Sequence, residues 1–131
     1  MAHRVSLAVV FGALLLVIPP ADGADKVVFD RDVRPLLAEK CFACHGPDVK
    51  DAKGDLRLDR RDSVVRKDGS GAIVPGKPEE SELIRRILSS DGDERMPPPD
   101  SHKELSAAEK EILRRWVAEG GRGSHRSPAH R

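Results

Sequence analysis

The sequence predicts an all-α fold, one small domain of three main helices joined by long loops. Three observations carry this. Apolar residues recur at spacings of three and four in three separate stretches, which marks one buried face on each of three helices. Helix-starting and helix-stopping residues flank those stretches. The longest connection, residues 46–77, is polar and glycine-rich, with only short apolar islands.

The first helix is expected from Asp30 to Cys44, with Val33, Leu36, Leu37, Cys41 and Cys44 on one face. Asp30 or Asp32 can cap it. Pro35 then falls in the first turn, where its missing N–H does little harm. Gly46-Pro47 ends it. In the long connection, Leu56 and Leu58 alternate with charges and point to one side of an extended strip. Asp62 to Lys67 suits a helical turn, Gly69-Ser70-Gly71 a turn, and Ala72 to Pro75 a short buried or extended piece.

The second helix begins between Pro78 and Ser81. Glu79, Glu80 and Glu82 suit its positive end, and Arg85 and Arg86 lie nearer the other. Its buried stripe is Leu83, Ile84, Ile87 and Leu88. A charged loop, Ser89 to Arg95, leads to Met96 and three prolines. The last helix opens on a capping box, Ser106 with Glu109. Its inner face is Ile112, Leu113, Trp116 and Val117, and Gly120-Gly121 stops it.

The chain has 131 residues, with 23 Lys plus Arg against 22 Asp plus Glu, a formal charge of +1. That balance does not suit a protein that grips phosphate backbones, so no nucleic-acid partner is expected. Two cysteines cannot make a disulfide-dense scaffold. Three Phe, one Trp and no Tyr leave a core that looks thin for this length. Something apolar is expected to be supplied from outside the polymer.

Met1 to Gly23 reads as a secretory signal. His3 and Arg4 give a basic start, and Val5 to Ile18 carries no charge. Pro19 and Pro20 break the run, and Ala21 to Ala24 offers small residues for cleavage. An uncleaved anchor would need a run nearer ~20 residues, and a core helix would need a polar face that this run lacks. The expected organisation is a signal peptide at 1–23, a domain at 24–119 and a disordered basic tail at 120–131. Localisation is then extracytoplasmic, periplasmic or secreted, with no stable membrane span after cleavage.

Both cysteines fall in one pentapeptide, Cys41-Phe42-Ala43-Cys44-His45. This is the C-x-x-C-H signature of covalent c-type haem attachment. A helical turn brings both thiols to one side, where they can add to the two vinyl groups on neighbouring edges of the porphyrin. His45, next in sequence, is then placed to ligate iron. Two rivals lack support, since a redox dithiol wants a βαβ context and a zinc site wants four ligands. A simple disulfide across the two intervening residues, open to a chain in an oxidising compartment, is the non-haem alternative and would make this a small disulfide-bonded binding module.

Met96 is the only thioether after the signal, 51 residues beyond His45. The prolines that follow restrict φ and discourage helix, so they hold Met96 in a stiff extended loop. Met96 is the expected sixth ligand of the iron. His102 is the competitor, an open or water-ligated iron is the remaining alternative, and His125 and His130 are expected to be solvated. His/Met coordination raises reduction potential and suits electron transfer. The run Lys50 to Lys67 mixes both signs and reads as solvated surface, or as docking surface for a redox partner. Arg114 and Arg115 lie off the apolar stripe of the last helix, and either can pair with a haem propionate.

The stretches FDRDVRPLLAEKCFACHGPD, GDLRLDRRDS, AIVPGKPEESELIRRI, DERMPPP and LSAAEKEILRRWVAEG, within about Val28 to Gly120, resemble a class I cytochrome c domain of the planctomycete-type cytochrome c module. The resemblance implies a small cytochrome c-like helical domain around one covalent haem c. It carries over Cys41 and Cys44 as thioether sites, His45 as proximal ligand and Met96 as distal ligand. It places Leu56, Leu58, Pro75 and Trp116 near the haem. Leu36, Leu37, Ile84, Ile87 and Ile112 are expected to pack around the macrocycle as well, which would account for the thin core. The expected role is single-electron transfer outside the cytoplasmic membrane, with no catalytic reaction of its own. Expected partners are redox proteins as donor and acceptor, and the haem-attachment machinery during maturation. In that family the module often heads a much longer extracytoplasmic protein. The alternatives are therefore a detached electron-entry domain of a larger enzyme and a haem-based sensor or ligand-binding module.

Overall fold

The computed structural model describes residues 25–123. The expected signal peptide and tail residues 124–131, with His125 and His130, lie outside them. Among the described residues the regular structure is helical, with no strand. A π-helical turn at Phe29–Val33 runs into α1 (Arg34–Lys40). Then follow α2 (Phe42–His45), α3 (Arg61–Val64), α4 (Glu82–Leu88) and α5 (Ala107–Ala118). Single 3-10 turns occupy Lys53–Asp55, Pro78–Glu80 and Pro99–Ser101. None of these helices is long and apolar enough to cross a membrane.

The first expected helix is built differently from its sequence reading. It starts at Phe29, and neither Asp30 nor Asp32 caps it. Asp32 instead reaches back from inside the first turn, where its carboxylate accepts the Val28 N–H at 2.8 Å. Arg31 donates to the same carboxylate at 2.7 Å and, with that backbone donor, holds its pKa down at about 2. Pro35 does sit in the first turn of α1, and the wider turn before it spans the place where its N–H is missing. The helix also breaks at Cys41, whose backbone leaves the α region with φ −124° and ψ −35°.

The core forms where the π turn, α1, α4 and α5 meet. Val33, Leu37, Leu113 and Val117 are wholly or almost wholly buried. Trp116 packs tilted on Phe29, ring centroids 5.7 Å apart, and donates its indole N–H to the Arg122 carbonyl at 2.9 Å. Leu88 departs from the expected stripe and is 56% exposed. The helix ends there and the chain leaves extended at Ser89, so no further turn covers it.

Ser81 is the buried polar residue that ties the middle of the chain together. Its hydroxyl accepts the Val74 N–H at 2.9 Å and donates to the Lys77 carbonyl at 2.8 Å. Gly76 N–H donates to the Val117 carbonyl at 2.8 Å, which pins this segment to α5. Buried Ala72 and Ile73 match the short apolar piece read from the sequence.

The capping box of α5 is present as expected. Glu109 N–H donates to Ser106 Oγ at 3.2 Å, and Ser106 N–H donates to the Glu109 carboxylate at 2.7 Å. Gly120 follows at φ 107°, a backbone region closed to most side chains, and ends the helix. Ser106→Ala removes one half of the box and is expected to cost ~1 kcal/mol. For a domain of this size that lowers Tm by about 4–8 °C. An unchanged thermal midpoint would show that α5 is held by packing alone.

Candidate functional site

The site is built on the break between α1 and α2. Cys41 N–H still donates to the Leu37 carbonyl at 2.8 Å, closing α1. Cys44 and His45 N–H then both donate to the Cys41 carbonyl, at 3.2 and 2.9 Å. One turn therefore carries both thiols and the imidazole. Gly46 ends that turn in close contact with it. A Cβ there would lie 2.7 Å from Phe42 Cα, so the tight exit requires glycine.

His45 is oriented by the strip that follows. Its Nδ1 lies 3.2 Å from the Leu56 carbonyl, and its own carbonyl accepts the Leu58 N–H at 2.8 Å. A carbonyl only accepts, so this contact places a ring proton on Nδ1 and leaves Nε2 as the nitrogen that can ligate. A ligating histidine is oriented by such a contact through its other nitrogen.

Met96 reaches the same site from the loop that follows α4. Its N–H donates to the Arg86 carbonyl at 3.1 Å, which ties the loop back to α4. Arg85 braces the same loop through Glu94 at 2.8 Å, and Arg86 donates to the Glu94 carbonyl at 3.3 Å. Pro97 and Pro98 continue the wall.

Cys41, Cys44, His45 and Met96 all line one cleft of about 450 Å³. That volume lies in the range of small-molecule and cofactor sites, ~300–1,000 Å³. Leu56, Leu58, Ala72, Leu83 and Ile87 supply its apolar wall, and all but Leu56 belong to the buried core. These residues fit a haem: two thiols on one turn, an imidazole with its Nε2 free, a thioether on the same cleft, and an apolar surface for the macrocycle.

Burial, and secondarily the neighbouring Cys44, pushes the Cys41 thiol up to about 11. A reactive redox dithiol requires the opposite shift. Among the described residues no cluster of three or more His, Cys, Asp or Glu could hold a metal ion, so the zinc alternative gains no support. Glu82 is the carboxylate on the cleft wall. Its pKa is held at about 2, first by the hydrogen bond from Arg85 and then by that from Arg86.

Other sequence expectations change place. His102 is exposed, stands at φ 55° and does not line the cleft. Pro75 is exposed and away from the cleft. Leu36, Leu37, Ile84, Ile112 and Trp116 pack in or against the protein core instead of lining the cleft, because α4 packs on α5 and both α1 and α5 pack on the π turn. Arg114 pairs with Glu111 at 2.7 Å and Arg115 donates to the Asp25 carbonyl at 2.8 Å, and neither reaches the cleft.

The sequence reading missed Ser63, Arg66, Leu83 and Arg86 as cleft residues. Arg66 lay inside a mixed-charge run with no periodicity to single it out. Leu83 occupies the buried stripe that its spacing predicts and also lines the cleft.

A family model described as Planctomycete cytochrome C matches residues 41–100. The match spans the Cys-x-x-Cys-His turn, the Leu56–Leu58 strip, α4 and Met96, the parts that build the cleft. A cytochrome c family implies covalently bound haem. No curated protein and no solved structure matches the chain. Over residues 41–100 the chain is similar to the planctomycete cytochrome C family.

Proposed function

We propose that this chain is an exported c-type cytochrome that carries one covalent haem and passes single electrons outside the cytoplasmic membrane. Cys41 and Cys44 hold the haem through thioethers, and His45 and Met96 ligate its iron. The observation that carries this reading is the convergence of all four residues on one apolar cleft, with His45 Nδ1 engaged by the Leu56 carbonyl. Export rests on the reading of residues 1–23 as a signal. Redox proteins serve as donor and acceptor, and haem-attachment machinery acts during maturation.

When bound, the haem supplies a one-electron couple. The protein's part is to hold, orient and desolvate. The Leu56 carbonyl holds the imidazole in one tautomer and one orientation. The Arg86 carbonyl and the proline run hold Met96 in place. Leu58, Leu83 and Ile87 exclude water from the cleft wall. A rigid ligand frame in a dry site changes little when charge changes, which favours transfer over substrate activation. The exposed position of His102, away from the cleft, favours Met96 as sixth ligand over its competitor.

Expression in a host with haem-attachment machinery tests both parts. The expected product is coloured, heavier by one haem, and shows a weak far-red sulfur band when oxidised. Met96→Ala should abolish that band and lower the reduction potential, since thioether ligation raises it. A colourless product would overturn the haem. An unchanged spectrum in Met96→Ala would overturn the sulfur ligand.

A further inference from the structure

We propose that Arg66 holds a haem propionate, with Ser63 beside it. The proposal deepens the haem reading above and rests on it. A haem joined through Cys41 and Cys44 keeps its vinyl-derived edge at the α1–α2 break. Its two propionates then project from the other half of the ring. Carboxylates at a partly buried cofactor require cationic or hydrogen-bonding partners.

Five cationic side chains line the cleft: Lys40, Lys53, Arg66, Arg86 and Lys103. Lys40 adjoins Cys41 in the chain and donates to the Glu104 carbonyl at 3.1 Å. Lys103 answers it by donating to the Glu39 carbonyl at 3.0 Å. This crossed pair belongs to the cysteine edge. Arg86 is committed to the Glu82 carboxylate at 2.7 Å and to the Glu94 carbonyl. Lys53 is exposed.

Arg66 remains. Its Nη2 donates to the Asp55 carbonyl at 3.2 Å and lies 3.6 Å from the fully exposed Asp55 carboxylate. Among the described residues Nε and Nη1 take no partner. A guanidinium carries five donors in a planar fork that matches a carboxylate. The Asp55 contact also fixes where the fork lies, because the next residue, Leu56, supplies the carbonyl that orients His45. Ser63 Oγ accepts the Arg57 N–H at 2.9 Å, and its own proton remains to donate.

The experiment compares haem-loaded wild type with Arg66→Gln, Arg66→Lys, Asp55→Asn and Arg114→Gln, by redox titration over a range of pH. Arg66→Gln should lower the midpoint potential, because removing a nearby positive charge favours the oxidised iron. It should also move the pH-dependent fall of the potential to higher pH, since a propionate without its cation holds its proton longer. Arg66→Lys should restore most of both effects. Arg114→Gln, on the outer face of α5, should titrate like wild type. Asp55 is the carboxylate in contact with Arg66, and Lys40, Lys53, Glu82, Arg86 and Lys103 are the other charged side chains on the cleft walls. Asp55→Asn should leave the pH profile in place.

A haem-loaded Arg66→Gln that titrates like wild type overturns the proposal and leaves the haem reading standing. So does an Asp55→Asn variant that loses the pH-dependent fall, since the carboxylate felt by the iron is then Asp55. A wild-type chain that takes up no haem overturns both.

Discussion

The haem-free chain, made as the Cys41→Ser, Cys44→Ser double variant and purified without cofactor, is expected to lack a cooperative thermal transition. The reason lies in who lines the cleft. Leu58, Ala72, Leu83 and Ile87 are members of the buried core and also form the cleft wall. Without the macrocycle, one side of the core has no packing partner. The total stability to be drawn on is only ~5–15 kcal/mol for a typical domain. Water entering the cleft relieves part of the strain but wets the same apolar residues. Retained helical far-ultraviolet dichroism with lost near-ultraviolet dichroism would describe the expected loose state. A sharp transition in the haem-free chain would show that the protein core suffices without the cofactor.

Leu113→Ala is expected to be the most damaging single truncation in the core. Leu113 is fully buried on α5, in one cluster with Val33, Leu37 and Val117. Shortening such a leucine costs ~2–5 kcal/mol, from lost transfer energy and the cavity left behind. In a domain near 100 residues each kcal/mol lowers Tm by about 4–8 °C. Leu88→Ala is the matched comparison. Its spacing puts that leucine on the α4 stripe, yet it is 56% exposed, and surface changes of this kind stay within ~0.5 kcal/mol. Thermal unfolding of the two haem-loaded variants side by side reads the difference. Equal losses would mean that exposure does not report packing at these positions.

The aromatic shortage has a more specific resolution than the sequence suggested. The core closes with one buried aromatic residue, Trp116, stacked on partly buried Phe29. Aliphatic residues do the rest. Of the eight apolar side chains expected around the macrocycle, Leu56, Leu58 and Ile87 line the cleft. The other five, Leu36, Leu37, Ile84, Ile112 and Trp116, serve the protein's own core.

Sequence by itself determined the features that are local. The Cys41-x-x-Cys44-His45 motif is five consecutive residues, so it is legible in spacing alone. The Ser106–Glu109 box joins residues three apart, and it forms as read. Helix type followed from periodicity, which any single helix displays without reference to its neighbours.

Tertiary structure alone decided what each face meets. Periodicity says that Leu36, Leu83 and Ile84 share the habit of burial, but not whether they meet another helix or the cleft. That depends on how loops of many residues bring distant elements together. The same holds for Arg66. Its place beside the strip that orients His45 comes from a contact eleven residues away, through the Asp55 carbonyl. Nothing in a mixed-charge run distinguishes it from its solvated neighbours. The Nδ1 contact of His45 was equally hidden, because it is made to a backbone carbonyl, which every residue carries. Side-chain identity specifies which atoms can react, and only the folded path of the backbone specifies which atoms they face.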